Sequence, residues 1–243
     1  MLSLKISFIT LPVFQIKGHK VIFHFGLLLL LYACSQQLWA RESDVQVIQQ
    51  LQNLLSPMQS LTGKFKQTLL NDKGEVIQNS HGKFSVKRPG KFLWHTAEPF
   101  EQLLISNQNK VWLYDPDLEQ VTERPYDQRL QQSPALLLSG STQELEKLFD
   151  VELIQANTTS PLSQEPSPKQ PLQSFSLTPR GEDKLFENLS LDFAKGKLVR
   201  MELNDSLGQK TVFMLSELIL NSEIDESLFQ FKPPPGTDIF VDE

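Results

Sequence analysis

Arg88 is the residue whose type and position most clearly demand a partner. Phe84, Val86 and Arg88 occupy alternate positions, and the residues between them are polar or charged. Because successive side chains of a strand point to opposite faces, this pattern predicts an apolar face that ends in a permanent cation. A buried guanidinium is costly without hydrogen-bond acceptors. Either Pro89 turns the chain so that Arg88 reaches water, or carbonyls at a helix end such as Leu136–Ser139 accept its hydrogen bonds.

Aromatic residues alternate in the strands that follow. Phe92 and Trp94 share one face of their strand, and Trp112 and Tyr114 share one face of a later strand. We therefore predict a sheet with an apolar hollow rich in aromatic rings. The candidate residues of this hollow are Phe84, Val86, Phe92, Trp94, Trp112 and Tyr114.

Catalytic motifs are missing from the sequence after residue 40. This part contains two histidines, His81 and His95, and no cysteine, which excludes Cys/His catalysis and zinc clusters of the usual type. No G-x-S-x-G, P-loop or dinucleotide-binding motif occurs in it. The sequence predicts neither a catalytic site nor a cofactor or metal site.

Acidic residues alternate at Asp115, Asp117 and Glu119, as in the loop of a calcium site. Such a loop needs Gly at its sixth position and Glu at its twelfth, where this chain has Gln120 and Tyr126. The calcium interpretation therefore fails. The Asp-Pro-Asp order instead predicts a hairpin turn that begins at Asp115.

Residues 1–40 resemble a secretory signal peptide. Their only formal charges are three lysines, which precede the apolar run Val21–Cys34. That run is too short to span a bilayer, and a polar stretch follows it up to Ala40. We expect cleavage after Ala40 and export of residues 41–243.

Removal of this leader makes the chain more acidic. The whole sequence has a formal charge of −6, and loss of three lysines without any acidic residue lowers it to −9. An acidic chain without a cluster of basic residues is a poor partner for nucleic acid or anionic membranes. The one cysteine of the sequence, Cys34, lies in the leader, so the exported chain has no disulfide and an apolar core must hold its single domain.

The periodicity of the exported chain predicts one helix, then strands, then two short helices and more strands. Apolar residues at Val45, Ile48, Leu51 and Leu55 recur at helical spacing. Period-two alternation with tight turns follows from residue 63 and predicts antiparallel strands. Leu136, Leu137 and Leu138 form one short helical stretch, and residues 141–149 form another, with Ser141 and Glu144 as a capping box. Residues 156–173 contain four prolines and predict a flexible surface loop.

Several of these segments together resemble the outer-membrane lipoprotein carrier family, LolA. The resemblance lies in residues 84–94 (FSVKRPGKFLW), in Pro99 and Gln102, in residues 112–122 (WLYDPDLEQVT) and in residues 229–236 (FQFKPPPG). These motifs occur in the family's order and extend from about Val45 to the C-terminus.

This resemblance implies an α+β fold in which an antiparallel sheet curls into an unclosed half-barrel, with helices forming a lid over its apolar concave face. It implies a monomeric periplasmic chaperone that binds lipoprotein acyl chains. Cargo would come from an inner-membrane ABC-type release complex and pass to an outer-membrane receptor. Arg88 corresponds to the arginine that holds the lid, and Phe92 to an apolar residue of the family motif. Leu136, Leu137 and Leu138 would form the lid helix.

Two alternatives remain open from the sequence. Residues 31–34 faintly resemble a lipoprotein cleavage box, in which a lipidated Cys34 would anchor an outer-membrane receptor of the same fold. Incorporation of labelled palmitate distinguishes this receptor from the carrier. A periplasmic hydrolase of hydrophobic substrates is the second alternative, although the sequence offers it no nucleophile–base pair.

Overall fold

The computed structural model describes residues 45–126, 134–155, 172–181, 184 and 186–242. Their α-helices are α1 (45–55), α2 (Pro134–Ser139) and α3 (Leu145–Leu148), and 3₁₀ turns cover Thr142–Glu144 and Glu226–Phe229. The strands are β1 (Ser60–Leu70), β2 (Val76–Lys87), β3 (Lys91–Glu98), β4 (Gln102–Asn107), β5 (Lys110–Asp115), β6 (Gln120–Pro125), β7 (Phe149–Gln155), β8 (Gln173–Pro179), β9 (Asn188–Ala194), β10 (Lys197–Asn204), β11 (Lys210–Leu220) and β12 (Asp238–Val241).

Some expectations lie outside these residues and stay predictions. They include the leader with Cys34 and Ala40, and residues 156–171 of the Pro-rich segment. The side chain of Leu136 also lies outside the described part of the chain.

The strands form one sheet in the order β12-β6-β5-β4-β3-β2-β1-β11-β10-β9-β8-β7. Neighbouring strands are antiparallel except for β12, which runs parallel to β6. Within the described residues, β12 and β7 are the two ends of the order and do not pair with each other, so the sheet is unclosed. This arrangement confirms the expected α+β fold, an antiparallel sheet that forms an open half-barrel.

Tight turns connect the strands where the sequence predicted them. The Asn71 side-chain oxygen accepts hydrogen bonds from the backbone N–H groups of Lys73 and Glu75, at 3.0 and 2.9 Å. Gly74 closes this turn with a φ of 80°, a conformation that residues with a Cβ rarely adopt. In the β5–β6 turn, Asp115 accepts a hydrogen bond from the N–H of Leu118 at 3.1 Å, which supports the hairpin interpretation.

The α1 helix packs on the sheet through part of its predicted apolar stripe. Ile48, Leu51 and Leu55 are buried, whereas Val45 is 60 % exposed. The reason is the helical repeat of 3.6 residues per turn. Val45 precedes Ile48 by three residues and Leu51 by six, which is less than one and two full turns. Val45 therefore lies to one side of the buried stripe.

The second predicted helix has a different form from the one expected. A 3₁₀ turn at Thr142–Glu144 leads into α3, and Phe149 already belongs to β7. Ser141 occupies the N-cap position, but its side chain makes no capping hydrogen bond. The predicted capping box is therefore wrong, because the N–H of Glu144 already donates to the backbone carbonyl of Ser141 at 3.3 Å.

The C-terminal segment forms a 3₁₀ turn and then a last, short strand. Leu228 and Phe229 lie in the 3₁₀ turn, where Asp225 accepts a hydrogen bond from the N–H of Ser227 at 2.9 Å. Phe229 is fully buried, and β12 then pairs with β6. The sequence analysis missed β12, a four-residue strand that follows a run of prolines.

Gly82 of β2 lies against β3 at a position that leaves no room for a side chain. A Cβ at this position would lie 1.9 Å from the carbonyl oxygen of His95 and 2.9 Å from a ring carbon of Phe65. Both neighbours are held by the sheet and its core, so neither can move away freely.

We predict that Gly82→Ala lowers the free energy of unfolding by about 1–3 kcal/mol, because overpacking forces the two strands apart. Urea denaturation followed by circular dichroism measures the change. The neighbouring exposed substitution Lys83→Ala is the control and should stay within about 0.5 kcal/mol of the unmodified protein. An unchanged midpoint for Gly82→Ala would contradict the close contact.

Candidate functional site

Arg88 lies immediately after β2 and binds the ends of two helices. Its Nε donates to the carbonyl oxygen of Leu138 in α2 at 3.0 Å. Its Nη1 donates to the carbonyl oxygen of Leu55, the last residue of α1, also at 3.0 Å. Carbonyls in the last turn of a helix lack a partner within that helix, so both are suitable acceptors. One side chain thereby ties both helices to the sheet.

The sequence analysis named the α2 carbonyls as possible acceptors and missed the one at Leu55. The Leu55 carbonyl lies 33 residues from Arg88 in the chain. No local pattern connects these two residues, because their contact depends on how α1 crosses the sheet.

The energetic balance at Arg88 is small. Burial lowers the pKa of Arg88 from its ordinary value to about 10, so the side chain stays charged at neutral pH. That lowering corresponds to a cost of roughly 3 kcal/mol for the charged form. Each hydrogen bond from a charged donor contributes roughly 1.5–3 kcal/mol, so the two bonds offset the burial cost with little surplus.

Further polar contacts hold the end of α2 against the sheet. The backbone N–H of Gly90 donates to the carbonyl oxygen of Ser139 at 2.8 Å. The side chains of Tyr126 and Ser139 are also hydrogen-bonded. Burial raises the pKa of the Tyr126 phenol, although its hydrogen bond with Ser139 acts in the opposite direction. Gln52 of α1 donates to the carbonyl of Thr142 at 3.0 Å, which connects the two helical regions.

Beneath the helices lies the apolar face that the alternation predicted. Phe84 pairs with Trp94 and Val86 pairs with Phe92 across β2 and β3, and all four side chains are buried. The Trp94 ring stacks on Phe65 with centroids 4.1 Å apart. It also stacks on Phe84 at 5.3 Å and meets Phe213 edge-on at 5.5 Å. Trp94 is thus the centre of an aromatic cluster.

The helices fill the space above this aromatic cluster. Leu51 and Leu55 of α1 and Leu138 of α2 have no more than 1 % of their surface exposed, and Leu137 is also buried. They belong to the same core as Phe84, Phe92 and Trp94. A ligand can reach the aromatic face only if the helices move aside.

Trp112 and Tyr114 lie on the opposite face of the sheet, so their assignment to the hollow is wrong. They pack with Val121 and with Phe231 of the C-terminal segment; the Phe231 ring is 6.2 Å from that of Trp112 and 5.4 Å from that of Tyr114. The reason is register: Trp94 pairs with Leu104, which pairs with Leu113, so Leu113 and not its neighbours shares the Trp94 face.

A pocket of about 180 Å³ opens beside the C-terminal end of α1. Leu54, Met58 and Leu61 line one part of it, and Phe193, Leu198 and Leu218 line another. Leu55 also lines this pocket, so the helix end that Arg88 binds forms part of its wall. Movement of α1 would enlarge the pocket towards the aromatic cluster.

Groups that could support catalysis are not assembled in the described parts of the chain. His95 lies 2.9 Å from Glu101 at the surface, and His81 is exposed. Within the described residues, no group of three or more His, Cys, Asp and Glu side chains could hold a metal ion. In the same residues, no helix is both long and apolar enough to cross a membrane.

Two ion pairs connect the C-terminal segment to the turn that carries Arg88. Glu226 binds Lys87 through one carboxylate oxygen and Lys91 through the other, each at 2.6 Å. These lysines lie on the two sides of the turn between β2 and β3. The hydrogen bonds from the two lysines lower the pKa of Glu226 below its ordinary value of 4.5.

The fold and the site together define a class of protein. It is an open half-barrel whose aromatic face is covered by helices; leucines of the helices pack on this face, and Arg88 binds the ends of two of the helices. Residues 56–232 match the family model described as "Outer membrane lipoprotein carrier protein LolA", and the chain belongs to this family.

Individual relatives agree with this assignment. The "Outer-membrane lipoprotein carrier protein" of Azotobacter vinelandii is 41 % identical over 211 residues, which cover 87 % of this chain and 96 % of that protein. The protein of the same name in Pseudomonas paraeruginosa is 41 % identical over 200 residues, covering 82 % and 90 %. Among solved structures, an uncharacterized conserved protein from Thermus thermophilus has a TM-score of 0.50 at 10 % identity. The matched region covers 82 % of this chain and 99 % of the Thermus chain. The family name describes a carrier and no reaction, in agreement with the expectation of a non-enzymatic protein.

We predict that Glu226→Gln lowers the free energy of unfolding near neutral pH, because the neutral amide pairs weakly with the two lysines. A carboxylate whose pKa is lowered by folding stabilises the fold above its unfolded pKa and loses that contribution as pH falls through the folded pKa. The difference between the two proteins should therefore narrow as pH falls below about 4.5. Chemical denaturation at several pH values measures it.

Glu223→Gln supplies the matched control, since Glu223 is an exposed carboxylate three residues away. Its effect should be small at every pH. A Glu226→Gln effect that does not vary between pH 7 and acidic pH would show that the ion pairs are not its source.

Proposed function

We propose that this protein carries lipoproteins through the periplasm and shields their acyl chains from water. The observation that supports this most directly is Arg88, which holds two helices over a buried aromatic face through hydrogen bonds to Leu138 and Leu55. Membership of the LolA family and relatives named as lipoprotein carriers support the same function.

The physical need for such a carrier follows from the chemistry of its cargo. Transfer of an acyl chain into water costs roughly 0.8 kcal/mol for each methylene group, so a lipoprotein with several long chains does not leave a membrane unaided. A carrier must replace the membrane with an apolar surface of its own. It must also release the chains again, which limits how tightly that surface can bind them.

In the proposed cycle, the acyl chains and the helices compete for the same apolar face. When cargo binds, its chains take the place of Leu51, Leu55, Leu137 and Leu138 against Phe84, Phe92 and Trp94. When cargo leaves, the leucines return and Arg88 again binds the helix-end carbonyls. Because each state buries apolar surface, the free-energy difference between them is small enough to be reversed by a membrane or a receptor.

The location and the partners follow from the sequence and from the family resemblance. A signal peptide cleaved near Ala40 would deliver residues 41–243 to the periplasm. We propose that an inner-membrane ABC-type complex supplies the cargo and that an outer-membrane receptor accepts it. The acidic charge of the exported chain supports a carrier that does not remain on anionic membrane surfaces.

We predict that a lipopeptide with brominated acyl chains quenches the fluorescence of Trp94 but not that of Trp112. Bromine quenches tryptophan only at short range, and the two rings lie on opposite faces of the sheet. The measurement uses residues 41–243, with Trp112→Phe to isolate Trp94 and with Trp94→Phe to isolate Trp112. Equal quenching of both rings, or quenching of Trp112 alone, would contradict acyl binding beneath the helices.

We predict that Arg88→Leu leaves the fold intact but impairs transfer of a labelled lipoprotein from donor to acceptor membranes by several-fold. Without the guanidinium, helix closure competes less well with the acyl chains for the apolar face, and amide hydrogens of α1 and α2 should exchange faster. Arg180→Leu is the control, because Arg180 is half exposed and pairs with Asp150 at the surface. Unchanged transfer by Arg88→Leu would refute the role of this residue as a latch.

A further inference from the structure

The Arg88 guanidinium has a third nitrogen, and that nitrogen is unpaired. Nη2 is fully buried and has no hydrogen-bond partner among the residues that the structure describes. A buried donor without an acceptor is unfavourable, more so on a charged group, and native proteins seldom retain one without a reason. The other two nitrogens already bind Leu138 and Leu55, so the open position belongs to the same planar fork.

Release of α2 would leave the guanidinium with more donors to satisfy. Its Nε loses the Leu138 carbonyl when that helix moves away, while the charge stays beside the apolar face. No carboxylate forms a salt bridge with Arg88 within the described residues. An acceptor must then come from water or from the ligand that replaces the helix, and the apolar face favours the ligand.

The cargo of a lipoprotein carrier brings a suitable acceptor. Each acyl chain of a diacylglyceryl group ends in an ester carbonyl, which accepts hydrogen bonds in the same way as the peptide carbonyls that Arg88 already binds. Phe84 and Val86 lie on β2, and Arg88 follows its end, so the face extends about 13 Å along the strand from the Arg88 backbone at roughly 3.3 Å per residue. A chain with its ester at Arg88 would lie along Val86, Phe92 and Trp94.

We propose that Arg88 donates hydrogen bonds to the ester carbonyl oxygens of bound acyl chains, through Nη2 and through the Nε that α2 releases. Arg88 is then a recognition residue as well as a latch, and it sets how deeply the chains enter the site. This inference rests on the proposed carrier function. It predicts that the carrier distinguishes acyl esters from alkyl chains of the same length.

Two synthetic lipopeptides test this inference. Both carry a free amino terminus and a glyceryl-modified cysteine; one has two palmitoyl esters and the other has two hexadecyl ethers, which lack the carbonyl oxygens. Binding to the full-length exported protein is measured by isothermal titration or by Trp94 fluorescence. We expect the ester to bind at least about tenfold more tightly, since a hydrogen bond from a charged donor is worth at least that factor.

The same pair is then measured with Arg88→Leu and with Arg180→Leu. The ratio of ester to ether affinity should fall to about one in Arg88→Leu and stay as in the unmodified protein in Arg180→Leu. Comparing ratios removes any general difference in hydrophobicity between the two lipopeptides. Circular dichroism shows whether each variant is folded, and the comparison in the unmodified protein needs no substitution at all.

Each outcome has a distinct meaning. Tight binding of both lipopeptides with equal affinity would overturn ester recognition and leave the carrier function standing. A ratio that persists in Arg88→Leu would assign recognition to another residue and would also overturn the inference. Failure of the unmodified protein to bind either lipopeptide would refute the carrier function itself.

Discussion

The desolvated charge of Arg88 is the constraint on which the site depends. A guanidinium at the end of an apolar strand face must find acceptors, and the closed protein supplies them from the ends of α1 and α2. The same charge loses hydration when the helices close, which keeps the net stabilisation small. Loss of the side chain would remove the hydrogen bonds that the two helix-end carbonyls accept from it, which would favour movement of the helices away from the sheet.

In the proposed cycle, the aromatic cluster beneath the helices suits acyl chains that vary in length and position. Rings such as Trp94 and Phe84 offer broad flat surfaces, so an alkyl chain gains contact without a single required geometry. The shape of the aromatic face therefore contributes to binding affinity but discriminates little between different alkyl chains. Polar groups at the edge of the face must provide whatever discrimination the site has, and Arg88 is the charged residue that the structure places there.

The parts of this site that could be predicted were local in the chain. Alternation within one strand identified Phe84, Val86 and the misplaced charge of Arg88, because side-chain period in a strand is set by backbone geometry. The same reasoning failed for Trp112, since the face it occupies depends on strand register across β4. The contact with Leu55 and the parallel pairing of β12 also depend on tertiary packing, which no periodicity encodes.

The rings on the back of the sheet bear on how the half-barrel can deform. Strands β3 to β5 carry the Trp94 cluster on one side and the cluster of Trp112, Tyr114 and Phe231 on the other. Bending these strands would disturb tight packing on both sides at once, which makes this part of the sheet stiff. Space for a bound acyl chain must then come from displacement of α1 and α2, while the sheet keeps its curvature. Loaded and empty forms should therefore differ mainly in helix position.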